Sequence, residues 1–316
     1  MKIAALLLSA LVASGTHSAW AAIVTVTDCA ADPHIHFSKS ILVDAGLDDL
    51  TLACQLVSAT QKIRLHGNAI KVQGPAGGIS SGSKGTAVEV HAGADITIDK
   101  ATLEATNGNG SLRLISKTGL TITNTNLLTG VGDRNGRQMR LQCTDPNCPL
   151  TMTKSNLVGH FIHVLINGPI NVQRNTVFTG GPRDLIDVRA LLGDALLCCD
   201  TFQGGNESNA FIRASGVVDL RFSSVMVSEN ISVDSGINIT GVGDTNLGDA
   251  TLNNEAGKFG EIVVRAGAGR AQINIQGATL LDDDLRSPGD VSELNGREQL
   301  PHQGFNNTVG TPDTDS

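Results

Sequence analysis

The chain of 316 residues contains no Tyr, one Trp and eight Phe, so aromatic side chains make up only 3% of it. Sugar-binding faces usually stack pyranose rings on Trp or Tyr, and this chain has almost nothing of that kind to offer. A sustained 3.6-residue apolar periodicity is also missing, which excludes leucine-rich or ankyrin arrays, where each repeat carries a helix. No apolar run beyond the N-terminus is long enough to span a bilayer. Positive charge is in deficit, with 23 Lys and Arg against 31 Asp and Glu and a formal net charge of -8. A chain this acidic does not grip nucleic acid or anionic membrane nonspecifically. Paired CxxC spacing is absent, and His34 and His36 have no evident third ligand, so a zinc site is not expected.

What is present is a recurring strand motif. Copies read DITIDKATL (Asp95 to Leu103), GLTITNTNL (Gly119 to Leu127), PLTMTKSNL (Pro149 to Leu157), PINVQRNTV (Pro169 to Val177), ALLCCDTF (Ala195 to Phe202), VDLRFSSV (Val218 to Val225) and QINIQGATL (Gln272 to Leu280). Their last residues are spaced by 24, 30, 20, 25 and 23, then by 55, which fits two further coils of degenerate sequence between Val225 and Leu280. Each copy is short, rich in Ile, Val, Leu and Thr, and alternates apolar with polar, the pattern of a strand with one buried face. A fixed period of this length means stacked repeats. The fold expected is all-β: a right-handed parallel β-helix of about nine to ten coils.

Residues 1–22 read as a secretory signal peptide, with Lys2, the apolar run Ile3 to Ala13 and the small-x-small end Ala19, Trp20, Ala21. Its removal would leave a mature chain without Trp. Secretion to the periplasm, cell surface or medium is expected, and six cysteines suit such an oxidising compartment. Residues 23–60 are expected to form an N-terminal cap and the first coils, 61–284 the β-helix, and the polar 285–316 a disordered tail. Cys29 and Cys54 stand one coil apart in matching strand contexts and are expected to pair. Cys143 and Cys148 bracket the turn-like TDPN and are expected to close that loop. Strand alternation puts Cys199 inward and Cys198 outward, a core thiol beside a surface thiol; a vicinal disulfide or redox site is the alternative.

A second strand precedes each motif, and Val90, Leu114, Leu141, Val164, Val188 and Ile212 align as its inward residues. Outward residues then fall into two columns. One holds Glu89, Arg113, Arg140, His163, Asp187 and Phe211; the other holds His91, Ile115, Gln142, Leu165, Arg189 and Arg213. Stacked coils lie about 4.8 Å apart, so the columns form one strip with several cations and two carboxylates. Solvated strand faces are routinely charged, but Arg113 beside Arg140 stacks like charges at a cost unless something binds them. The ligand-binding candidates are Arg113, Arg140, His163, Asp187, Arg189 and Arg213, pairing with carboxylates or sulfates along an acidic polysaccharide. On the motif strand, Thr97, Thr121, Thr123, Thr151 and Thr153 suggest the flat threonine array of ice-binding β-helices, a regularity that stops after two coils.

The coil pattern over roughly residues 50–284 resembles the pectate-lyase-like superfamily, which includes polysaccharide lyases, polygalacturonase-type hydrolases, tailspikes and secreted proteins without known activity. Lyases of that group bind calcium through clustered acids beside an Arg base; hydrolases gather several Asp around a His. By that resemblance Asp282, Asp283 and Asp284 are candidate calcium ligands, although a capping turn explains them as well, and no other cofactor is implied. Asp187, Arg189 and Arg213 are the catalytic candidates, Asp184 lying in the preceding turn. Gly159 and His160 match only part of the hydrolase triplet, whose second Gly is absent. The loops GVGDRNGR (Gly130 to Arg137) and GVGD (Gly241 to Asp244) lack the strand-to-helix context of phosphate sites. No Ser, Cys or His stands in a recognised nucleophile context. The leading expectation is a non-catalytic β-helix that binds an acidic glycan or envelope component. A polysaccharide lyase or hydrolase and a self-associating adhesive protein are the alternatives.

Overall fold

The computed structural model describes residues 23–26, 41–74, 77–130, 138–174, 176–206, 208–228, 236–254, 261–267, 272–274, 278–284, 287–288, 293–295 and 297–298. Residues 1–22, read above as a signal peptide, and Cys29, His34, His36 and residues 131–137 lie outside them. Every described element is a strand, and the strands coil into a parallel β-solenoid with no helices. No helix of the described residues is long and apolar enough to cross a membrane.

Two sheets wrap the coil. The first stacks twelve motif strands, among them Asp95–Asp99, Gly119–Thr123, Leu150–Thr153, Ile170–Gln173 and Ala195–Cys198. Nine of these twelve fall within residues 61–284. Ile23–Val26 and Asp49–Leu52 precede them, and Arg297–Glu298 adds a rung from the segment read as a tail. The second sheet carries the two other strands of each coil, such as Gly110–Ser116 and Asn126–Thr129. In two coils these run together as the single strands Asn156–Ile166 and Val177–Ala190.

The alternating pattern explains the register. Ile96, Leu120, Leu150, Ile170, Ala195 and Val218 stand opposite one another rung by rung, and all are buried. A one-residue slip would turn that whole set outward, so burial fixes the pairing. The preceding strand keeps the expected alignment, with Val90, Leu114, Leu141, Val164, Val188 and Ile212 as consecutive partners. Leu252 divides the gap of 55 as its single intermediate rung, one coil fewer than expected there, pairing with Val225 on one side and Leu280 on the other. One motif copy was misregistered: Leu157 faces Phe178 and not Val177, and Phe178 faces Phe202. Counted from the bend residue Arg174, the inward Thr176 and Phe178 stand one place further along than Thr125 and Leu127 do from Asn124. Phe178 and Phe202 stack in the core with ring centres 4.6 Å apart.

After the motif strand the chain bends in the same way in coil after coil. Lys100, Asn124, Lys154, Arg174, Cys199, Phe222 and Asp249 all take left-handed φ values between 49° and 67°. That region is costly for L-residues, by about 1–2 kcal/mol each, and is held here by the stacked backbone hydrogen bonds on either side. The first described residue after the bend is inward, giving a buried ladder of Thr125, Ser155, Thr176, Asp200 and Ser223 in successive coils. Cys199 therefore does not point into the core as simple alternation predicts; the bend takes it out of the strand.

Candidate functional site

The two outward columns form as read from the sequence. Glu89, Arg113, Arg140, His163, Asp187 and Phe211 are consecutive register partners. Ile115 faces His91 and Gln142, which leads through Leu165 to Arg189 and Arg213. The first column also extends to Arg64, whose Nε lies 3.4 Å from Glu89. The second reaches His66, which contacts Asp44 at 2.9 Å. Beyond the six candidates, Phe161 lies one rung-row away, with its ring stacked parallel to that of His163 at 6.4 Å.

Charge is unevenly balanced along the strip. Arg189 Nε donates to Asp187 Oδ1 at 2.7 Å, and His163 Nδ1 stands 3.6 Å from Oδ2. Arg113 and Arg140 are direct neighbours; Glu89, on the rung before Arg113, pairs with Arg64, and neither Arg113 nor Arg140 makes an ion pair among the described residues. Arg140 Nε is buried without a hydrogen-bond acceptor. Arg213, between Arg189 and Thr240 in the register, lays its guanidinium 4.7 Å over the ring of Phe211. Cations on such rings gain about 0.5–1 kcal/mol at exposed sites. Arg113, Arg140 and Arg213 thus hold guanidinium groups outside any ion pair among the described residues, in a strip that also carries the rings of Phe161 and Phe211.

Asp187 corrects one expectation. It was read as an outward strip residue able to meet ligand, but only 2% of it is exposed. Burial alone would raise its carboxyl, yet the hydrogen bonds from His163 and Arg189 and their charges hold it below the usual carboxylate range. Asp187 is covered by the imidazole of His163 and the guanidinium of Arg189, and these two are what remain accessible. Asp184 lies in strand Val177–Ala190 and not in a turn, because the two strands of that coil run together. His160 is buried at an irregularity between Gly159 and Phe161.

The remaining candidates separate. Asp282, Asp283 and Asp284 end strand Thr279–Asp284, and Asp283 and Asp284 pair antiparallel with Pro288 and Ser287. Among the described residues no group of three His, Cys, Asp or Glu is placed to hold a metal ion. Cys143 and Cys148 are disulfide-bonded, closing the expected loop with a Cα separation of 5.8 Å. The threonine row Thr97, Thr121, Thr151 continues as Asn171, Leu196 and Asp219, which breaks the flat array. Arg221 covers Asp219 there with a hydrogen-bonded ion pair at 2.7 Å.

Sequence reasoning missed Phe161 and the buried ladder. The ladder has a signal: Ser, Thr or Asp directly follows the bend residue in Asn124-Thr125, Lys154-Ser155, Cys199-Asp200 and Phe222-Ser223. No family model, curated protein or solved structure matches this chain.

Proposed function

We propose that the strip from Arg113 to Arg213 binds a linear polyanion, an acidic polysaccharide of the cell envelope or its surroundings, without transforming it. The observation that carries this reading is the stacking of Arg113 on Arg140 on adjacent rungs, with neither guanidinium in an ion pair among the described residues. Neighbouring guanidinium groups on a rigid sheet repel, and a carboxylate or sulfate received between them removes that cost and gains paired charge-assisted hydrogen bonds. Successive rungs repeat about every 4.8 Å, so a chain laid along the coil axis meets a cation at nearly every step. Phe161 and Phe211 supply apolar faces for sugar rings in a chain without Tyr. Secretion, expected from the N-terminal sequence, would place the protein where such polymers are.

A second reading is favoured by Asp187. A buried carboxylate beside a more accessible His163 resembles the arrangement that orients a general base, and Arg189 would neutralise a uronate. The protein would then be a polysaccharide lyase of the pectate-lyase-like superfamily. Both readings are tested by affinity electrophoresis of the mature protein on acidic and neutral polysaccharides, with unsaturated ends measured in the same samples. Retention by acidic polymer, weakened by salt and unaccompanied by product, is the expected result. Release of unsaturated ends that disappears in His163→Ala establishes the lyase instead. Neither signal, with assembly on concentration, rejects both in favour of a self-associating structural protein.

A further inference from the structure

Away from the strip, Cys198 and Cys199 are brought together by the bend that ends each motif strand. Adjacent residues in an extended strand point to opposite faces, which keeps their side chains apart. Their Cα atoms are also only about 3.8 Å apart across a trans peptide, closer than ordinary disulfides accept. Here Cys198 is the last strand residue, facing out opposite Gln173, and Cys199 takes φ +67°. The left-handed step breaks the alternation and brings the two sulfurs to 2.7 Å, each half-buried and neither in the core. In the neighbouring coils the same two positions hold Asp99 and Lys100, Thr123 and Asn124, Thr153 and Lys154, and Gln173 and Arg174. The geometry belongs to the solenoid, and only this coil supplies two thiols to it.

We infer that Cys198 and Cys199 are a redox-active vicinal dithiol, which a small disulfide oxidant closes to an intramolecular disulfide. One sulfur, having lost its proton to solvent, attacks a sulfur of the oxidant RSSR and releases RS⁻. The second sulfur, likewise deprotonated, attacks the protein sulfur of that mixed disulfide, forms the Sγ–Sγ bond and releases the other RS⁻. Two protons and two electrons have then passed from the protein to give two RSH. The surroundings set the pace. Burial, the Cys199 thiol and the nearby Asp219 and Asp200 push the Cys198 thiol up to about 11. Little thiolate is present at neutral pH, so closure accelerates as the solution becomes alkaline.

The test uses the full chain with oxidised glutathione, followed by alkylation and tryptic mass mapping. The peptide from Ala190 to Arg213 contains these two cysteines and no other. It is expected about 2 Da lighter than the dithiol form and unlabelled until reduced, with formation faster at about pH 9 than at pH 7. Cys199→Ser should instead keep a glutathione adduct on Cys198. A wild-type peptide that stays doubly alkylated, that retains the same adduct, or that links two chains overturns the inference. None of these outcomes depends on whether the strip binds a polyanion.

Discussion

Asp200 stands in a ladder whose other rungs are Thr and Ser, and it is the member that can ionise. It is 2% exposed, it accepts a hydrogen bond from the Thr176 backbone at 2.9 Å, and its second oxygen has no partner. Burial pushes its carboxyl up to about 7, against the opposing pull of the Thr176 N–H. An unfolded Asp titrates near 3.9, so between those values the folded state holds a proton that the unfolded state has lost. Its contribution is fully present below about pH 4 and is lost as pH rises toward 7, amounting to at most about 4 kcal/mol. Asp200→Asn keeps the acceptor for Thr176 and cannot ionise. Urea midpoints at pH 5 and pH 8 should converge in this variant, which should exceed the parent at pH 8; a parent with no such slope refutes the assignment. Asp187 works with the opposite sign. Held below its ordinary range, it stabilises above the unfolded carboxylate pKa, and that contribution is lost as pH falls through its folded value. Asp187→Asn should cost about 1–3 kcal/mol by chemical denaturation and flatten the acid limb of the stability profile.

Among the elements, the coils around Phe178 and Phe202 hold the largest fully buried side chains. Their stacked rings fill the section where the chain runs through the long strand Val177–Ala190 without a break. Phe202→Ala should lower stability by about 3–5 kcal/mol, since neighbouring rungs are pinned by their own hydrogen bonds and cannot collapse into the void. Phe202→Leu should cost clearly less, as most of the volume is kept. A truncation that left the thermal midpoint unmoved would mean these coils do not bear on global stability. The unequal steps between rungs, such as 30 residues from Leu120 to Leu150 and 20 from there to Ile170, are absorbed in the turns and leave the ladder pairing intact.

At the scale of the whole molecule, each coil touches only its neighbours, so stability is close to a sum of coil and interface terms. Along the strip Arg113 stacks on Arg140 and Arg189 on Arg213, like charges on successive rungs that lower that sum. Replacing Arg113 and Arg140 together by Gln should leave stability unchanged or raise it by roughly 0.5–1 kcal/mol. The same change should abolish retention by acidic polysaccharide. Loss of stability of more than about 2 kcal/mol, with retention intact, would show that the pair packs the sheet and binds nothing.

Much of the coil was legible before any coordinates. Period-2 alternation decides which face is buried, and burial decides register, so the columns from Glu89 to Phe211 and from His91 to Arg213 could be written down residue by residue. The cationic strip follows from those columns, and the Cys143–Cys148 closure from the turn-like TDPN that the two cysteines bracket. Alternation fails where the backbone leaves the strand. The one-place shift after Arg174 put Phe178 in the core, and the left-handed bends turned Asp200 inward and set Cys199 beside Cys198. Nor does a column say how deep a side chain sits. Asp187 and Phe211 share a column, but only the packing of Arg189 and His163 around the carboxylate decided that Asp187 is buried. The sequence determined the repeat, its faces and its charges, because these depend on local periodicity. The tertiary structure alone decided depth and contact, because these depend on how neighbouring coils close over one another.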